Sequence, residues 1–429
     1  MSELALYGGK KTHEDGWPAW PQNSALEEEA VLSVLRSGEW WRNSLGESTG
    51  REWGDESPRS EVAKFELAFA HLHGCEYGVC NTNGTAALEI ALRAAGVGAG
   101  DEVIVPPYTF IATATAPLMV GAVPVFADIE EDTCNIDPEA IRKAITQRTK
   151  AIIPVHFGGL PANMDAIQAI AAEYGLVIIE DCAHAHGAAY QGKMVGSMGT
   201  FGTFSFQGSK NMTAGEGGIV ITHDSEKAAQ TQSFVWGGRL PGSGWYGHVN
   251  LASNLRMTEI QAAILNAQLK RLPGWFKTRL GNGRRLDSFL ETIPGVKPMA
   301  APAGGSTHAY HLYLFRYLSG QFNGLSKTRF VEALQAEGIP ASVGYEYPLY
   351  HNRVFEDGRF WKGGYPFIPG VHETAIDYKR FTETCPVAEQ ACANQIVWLP
   401  QNCLLGDAGA MEDVAAAIDK IRTNAAELV

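Results

Sequence analysis

Short apolar runs alternate with amphipathic stretches between residues 61 and 222, and that alternation sets the expected architecture. Residues 61–72 read as a helix behind a capping Ser60, with Val62, Phe65, Phe69 and Leu72 at helical spacing and Gly74 closing it. A strand is expected over residues 77–81, then a glycine turn and a helix opening at Thr85. Further strands are predicted at residues 101–106, 123–128, 149–155 and 177–181. Helices are predicted over 111–120, from the Asp137-Pro138 start, and over 163–173. Strand, helix, strand at this rhythm predicts an α/β fold, with a mostly parallel central sheet covered on both faces.

After Gly218 the pattern changes. Residues 233–247 are rich in glycine and aromatics and read as a loop near a site. Thr258 to Gln261 reads as a capping box for a long helix, which Pro273-Gly274 is expected to break. Beyond it a smaller α+β unit is predicted, with strands at 311–317, 341–345 and 396–399, a helix over 327–337 and a last helix from Met411. The expected division is an N-terminal arm and first helix over residues 1–60, a large domain over 61–270 and a small C-terminal domain over 271–429. The arm is irregular apart from a helix near residues 24–35, and its tryptophans (Trp17, Trp20, Trp40, Trp41 and Trp53) need apolar surface to cover.

Composition excludes several classes. The 429 residues carry a formal net charge of −13, which disfavours nucleic acid and anionic membrane surfaces as partners. The 7 cysteines are scattered, with no Cys-x-x-Cys spacing, and read as reduced buried thiols without a structural metal. Neither a signal pattern nor an apolar run of membrane-spanning length is present, so a cytoplasmic protein is expected.

In parallel α/β sheets ligands bind beyond the carboxyl ends of the strands. Gly84-Thr85, Tyr108 to Phe110, His156 and Asp181 each follow such an end, so these distant residues are expected to converge. Lys210 lies between two buried strands, at residues 203–206 and 219–222. A lysine there either reaches the loop surface or is desolvated, and desolvation lowers its pKa towards that of a nucleophilic amine. The free N–H groups of the helix at Gly84-Thr85 attract an anion, with the Ser205 hydroxyl as a further donor. Phe110 offers a flat face and Asp181 an acid at the end of a buried strand. A phosphate site, a stacking ring, an acid for a ring nitrogen and an amine for an aldehyde together match pyridoxal 5'-phosphate.

The motifs that carry these residues resemble the fold-type I aminotransferases of the DegT/DnrJ/EryC1/StrS family, which make amino sugars and aminocyclitols. They are Asn83 to Leu88, Pro107 to Phe110, Glu180 to Ala188, Phe204 to Lys210 and Asn254 to Glu259, in the family's order. The resemblance implies that Lys210 holds the cofactor aldehyde as a Schiff base and that Asp181 pairs with its ring nitrogen. It implies that Phe110 stacks on the ring and that His184 lies near the 3-hydroxyl. Gly84, Thr85 and Ser205 would hold the phosphate, completed by Asn254 from the second subunit of a homodimer with shared active sites. Where His184 stands the family often has glutamine. The Trp40-Trp41-Arg42 string and the Asp181 to Gly187 string look closest to two groups, the scyllo-inosose aminotransferases and the 3-amino-5-hydroxybenzoate synthases. The implied reaction is ping-pong transfer of an amino group from glutamate or glutamine to a cyclic ketone, a keto-cyclitol or keto-sugar, in aminocyclitol, amino-sugar or antibiotic biosynthesis. A synthase-type reaction, a nucleotide-linked keto sugar as acceptor, and a cofactor-bound partner protein without turnover stay open. Trp41, Arg42, Arg239, Tyr345 and Tyr350 are the candidate substrate contacts, with Tyr310 as a further aromatic neighbour.

Overall fold

The computed structural model describes residues 2–41, 60–240, 243, 246–300, 304–356 and 360–429. Arg42 and Trp53, named above, lie outside them. Helix α1 (Ala25–Ser37) starts at Ser24, which forms a capping box with Glu27. Helix α2 (Glu61–Leu72) starts at Ser60, whose hydroxyl accepts the Ala63 N–H, as its sequence predicts.

Then comes the alternating series: β1 (Tyr77–Asn81), α3 (Gly84–Ala94), β2 (Glu102–Val105), α4 (Ala112–Met119) and β3 (Val123–Phe126). It continues with α5 (Pro138–Ala144), β4 (Thr149–Ile152), α6 (Met164–Tyr174) and β5 (Val177–Asp181). A small hairpin, β6 (Ala189–Tyr190) and β7 (Lys193–Met194), precedes β8 (Phe201–Ser205) and β9 (Gly218–Thr222). Seven strands form one sheet in the order β1-β9-β8-β5-β4-β2-β3. The pairs among β3, β2, β4, β5 and β8 are parallel, while β9 runs antiparallel to both β8 and β1. Buried β-branched residues such as Val103, Ile104, Ile152 and Ile179 fill the sheet, as strands covered on both faces require.

Helix α7 (Ser225–Val235), capped by Asp224, occupies the start of the segment expected to be loop. Helix α8 (Glu259–Leu290) begins with the expected capping box of Thr258 and Gln261 but runs 32 residues, straight through Pro273. A proline inside a helix removes one backbone hydrogen bond and costs about 3 kcal/mol. Here α8 packs against α1, α2 and the C-terminal helix (Ala408–Thr423), and burial on both sides of Pro273 outweighs that loss. A second sheet joins β10 (Val296–Pro298), β11 (Leu312–Tyr317) and β12 (Ile396–Pro400), all antiparallel. Helix α9 (Lys327–Ala336) and the C-terminal helix share its separate apolar core. The expected strand over residues 341–345 is absent. Only Ser342 pairs, with Trp398, and Gly344 at φ 75° turns the chain away.

The N-terminal arm is tied to this second core. Glu337 accepts the N–H groups of Ala5 and Thr12, and Trp17 Nε1 donates to the Gly338 carbonyl at 2.8 Å. Trp20 lies edge-on to Trp275 of α8. All seven cysteines are buried free thiols. No helix among the described residues is long and apolar enough to cross a membrane.

Candidate active site

Strand β5 delivers Asp181 at its carboxyl end, fully within the protein. Its Oδ2 accepts the Thr113 hydroxyl at 3.0 Å, and its Oδ1 accepts the Ala183 N–H at 3.2 Å. Burial raises this carboxyl above its ordinary value, and the Ala183 N–H, the Thr113 hydroxyl and the Lys210 charge offset that only in part. Thr113 is placed by the first turn of α4, where its N–H donates to the Phe110 carbonyl. Phe110 itself is 58% exposed, an aromatic face left open just past the end of β2.

Lys210 follows β8 in a turn closed by its own N–H to the Gln207 carbonyl. The residue is half-buried, and burial pulls its ammonium down to about 8 against the opposing Asp181 charge. Among the described residues its amine has no hydrogen-bond or ion-pair partner. His184 stands within charge reach of Lys210, buried, with its imidazole held well below the ordinary value by burial.

Helix α3 points its N-terminus at Ser205. A methyl group at Gly84 would lie 2.6 Å from Ser205 Cβ, so only glycine lets the helix start approach that strand end. Asn83 caps the helix through Ala86, leaving the N–H groups of Gly84 and Thr85 to an outside acceptor.

The structure therefore sets the Gly84-Thr85 helix start against Ser205 at the end of β8, and Asp181 and His184 within charge reach of Lys210 in the turn that follows the same strand, with Phe110 exposed one turn before Thr113. Tyr345 joins them. Its ring packs on Tyr108, Phe157 and Trp398, and the Asp181 charge adds to the burial that raises its phenol. Trp41, Arg239 and Asn254 form a separate surface group. Trp41 bridges to Thr258 and Asn254 to Trp236, while Arg239 and Arg256 lie 5.8 and 5.1 Å from the Trp236 ring. Asn254 is exposed there.

Tyr350 and Tyr310 lie in neither group. Tyr350 is buried against Phe126 and Phe381 with its hydroxyl on Glu389, so it serves the core under β3. Tyr310 gives its hydroxyl to Asp287. His156 is spent on structure as well. Its Nε2 meets Glu180 at 3.0 Å and its Nδ1 accepts the Ala162 N–H. His156, Glu180 and Cys182 bring three possible ligand atoms within 4.8 Å, but the Glu180 oxygens are already filled by N–H donors. Sequence reasoning missed Thr113, which holds the Asp181 carboxylate, and Asn211 and His311, which lie beside the lysine. A buried threonine one turn past Phe110 was the readable signal for the first.

A glycine-permitted helix start with a hydroxyl beside it, an open aromatic face, a buried carboxylate and an unpaired amine of lowered pKa are the donor set of an aldehyde-and-phosphate cofactor. Such a fold and site define an enzyme that works on amines and carbonyls. Residues 42–364 match the model of the DegT/DnrJ/EryC1/StrS aminotransferase family, and the chain belongs to that family. Over 438 residues it is 40% identical to the L-glutamine:2-deoxy-scyllo-inosose aminotransferase of Streptomyces fradiae, covering 100% of this chain and 99% of that one. It is 37% identical to the 3-amino-5-hydroxybenzoate synthase of Amycolatopsis mediterranei over 91% of this chain and 93% of the relative. Among solved structures, a 3-amino-5-hydroxybenzoic acid synthase superposes with a TM-score of 0.82 at 35% identity, over 95% of this chain and 99% of that one. The S. venezuelae protein DesV, crystallised with a ketimine intermediate, superposes with a TM-score of 0.74 at 30% identity, over 94% of each chain.

Proposed function

We propose that this aminotransferase binds pyridoxal 5'-phosphate in the cleft around Lys210 and moves an amino group from glutamine or glutamate to a cyclic polyhydroxy ketone. The observation that carries the reading is the Lys210 amine, unpaired and lowered to about 8, in the same cleft as the buried Asp181 carboxylate. The cofactor, when bound, supplies an electron-accepting ring that makes the donor's Cα proton removable.

The chain's own residues do the rest. Gly84 and Thr85 N–H groups with the Ser205 hydroxyl hold the phosphate, and Phe110 covers one ring face. Asp181, held in place by the Thr113 hydroxyl and the Ala183 N–H that its oxygens accept, pairs with the ring nitrogen and holds the proton there. Lys210 Nζ takes the proton from the donor's Cα and gives it back on the other side of the transfer, base then acid, for which a pKa near the working pH is suited. Tyr345 and its aromatic neighbours exclude water above the carboxylate. Asn254, exposed on the surface beside Trp41 and Arg256, reaches the phosphate of a second copy, so the working form is a homodimer.

The glutamine and keto-cyclitol named for the Streptomyces fradiae relative support this choice of substrates. The likeness to 3-amino-5-hydroxybenzoate synthase favours a second reading, loss of water and aromatisation in the same cleft. Spectra and products separate the two. Purified protein with the cofactor bound is expected to lose its yellow absorbance on adding glutamine and regain it on adding scyllo-inosose with formation of an amine. Lys210→Ala should fold and bind cofactor yet lower turnover by roughly 10²- to 10⁴-fold, as loss of the acid–base group demands. Turnover at the wild-type rate in that variant rules the reading out, and an aromatic product selects the second one.

A further inference from the structure

Two histidines face each other beside Lys210, and their hydrogen bonds give them opposite tautomers. The rings of His184 and His311 have centroids 4.3 Å apart with planes at 36°. His184 Nδ1 accepts the Gly158 N–H at 3.3 Å, so in the neutral ring the proton sits on Nε2. For His311 the assignment runs through Asn211, the residue after the lysine. Asn211 Nδ2 lies 2.7 Å from the Ala309 carbonyl, and a carbonyl oxygen can only accept, which fixes the amide's orientation. Its Oδ1 then faces His311 Nδ1 at 3.3 Å, so that nitrogen carries the proton and Nε2 a lone pair. Burial holds both imidazoles well below the ordinary value, and each also feels the Lys210 charge, so both are neutral. Among the described residues neither Nε2 has a hydrogen-bond partner. The pair presents one donor and one acceptor.

The chain goes to some lengths to place His311. The preceding residue, Tyr310, has φ 49°, a conformation that costs a non-glycine residue about 1–3 kcal/mol. Three contacts over-determine it. Tyr310 Oη donates to Asp287 at 3.0 Å, its ring stacks on His308 at 3.9 Å, and α8 carries glycine at Gly283 where any side chain would strike that ring. The Ala309 N–H is bound to the Gly159 carbonyl at 2.9 Å. The turn is rigid, and it aims an imidazole at the lysine.

We propose that His311 is a substrate-binding residue whose Nε2 accepts a hydrogen bond from a ring hydroxyl of the polyhydroxy ketone, which sets the preference for hydroxylated acceptors. This rests on the amino-transfer reading of the same cleft. A lone pair on a largely buried side chain selects for a hydroxyl, because a bound ligand that covers it without one leaves the acceptor unpaired.

Asparagine at 311 keeps a donor for Asn211 but is too short to place its acceptor oxygen at the Nε2 position, while glutamine reaches that position with an acceptor. In the holoprotein, His311→Asn is expected to leave the glutamine half-reaction within about twofold and to lower kcat/KM for scyllo-inosose by about 100-fold. The preference for scyllo-inosose over cyclohexanone should collapse in that variant and largely return in His311→Gln. Independently, ¹⁵N-histidine NMR, assigned with the same variants, should show Nδ1–H for His311 and Nε2–H for His184. An Nε2–H tautomer at His311, or equal slowing of both half-reactions in His311→Asn, overturns the proposal. Wild-type protein that binds cofactor but is converted by neither glutamine nor glutamate sinks the amino-transfer reading instead, and the NMR tautomer still decides the assignment of His311 as an acceptor.

Discussion

Replacing Glu180 by glutamine changes a single heavy atom, yet the geometry predicts serious damage. Glu180 is fully buried at the penultimate position of β5. Its Oε1 accepts the N–H groups of Met198 at 2.7 Å and Gly199 at 2.5 Å. Its Oε2 accepts the Gly196 N–H at 2.8 Å and meets His156 Nε2 at 3.0 Å. His156 Nδ1 accepts the Ala162 N–H at 3.0 Å, so the imidazole proton is on Nε2 and this contact too is a donor. Four donors thus converge on one carboxylate. A glutamine keeps one acceptor oxygen and sets its NH₂ against two donors, and flipping the amide only exchanges the pair that suffers. Each hydrogen bond to a charged acceptor contributes about 1.5–3 kcal/mol, so losing two costs about 3–6 kcal/mol. With a denaturant slope of a few kcal/mol/M, the urea midpoint of Glu180→Gln should fall by about 1 M. Hydrogen exchange by mass spectrometry should show faster exchange in the turn over residues 194–199. A midpoint within about 0.2 M of wild type, with protection intact, refutes the reasoning.

Gly84→Ala should loosen cofactor binding at least tenfold, because the added carbon would sit 2.6 Å from Ser205 Cβ and push the helix start off the strand end. A fluorescence titration giving an unchanged Kd removes the phosphate role from this helix. Alkaline pH should destabilise the protein. Burial pushes the thiols of Cys75, Cys134, Cys385 and Cys403 from 9.0 up to about 12, so their stability is full below pH 9 and is lost as pH rises towards 12. Lys210 and Lys327, pulled from 10.5 to about 8, act oppositely between those values, because the folded state releases its proton first. Cys182 and Cys392 are pushed up in the same way, so six thiol slopes against two lysine slopes leave on the order of 5 kcal/mol lost per pH unit between pH 9 and 10. Urea midpoints in reducing buffer that rise from pH 9 to pH 10 contradict this balance.

The central sheet was legible because its strands are short apolar runs between capped helices, and capping is a local signal. Ser60, Asn163 and Thr258 each cap the helix their sequence predicts. The errors came where distant packing overrides local preference. Pro273 continues a helix supported on several sides, and the apolar stretch at residues 341–345 finds no strand partner beyond Ser342. Helix α7 was hidden by its low apolar content. At the site, Asp181, Lys210 and the Gly84 helix start announce themselves by residue type at strand ends. Tyr350 and Tyr310 were misread because an aromatic near a motif says nothing about which way its hydroxyl turns. His311 could not be seen at all as a ligand. Its role depends on a left-handed Tyr310 and on the orientation of the Asn211 amide, and neither leaves a mark in composition or periodicity.

At about 1.5 Å per residue, α8 is a rod of about 48 Å. One end is seated at Thr258, a few residues from the exposed Asn254, and the other feeds the sheet whose middle strand begins beside His311. A tilt of about 5° at one end would swing the other by about 4 Å over that span. A neighbouring molecule that grips the surface around Asn254 therefore holds a long handle, and leverage on it is felt at the wall of the cleft that meets the substrate.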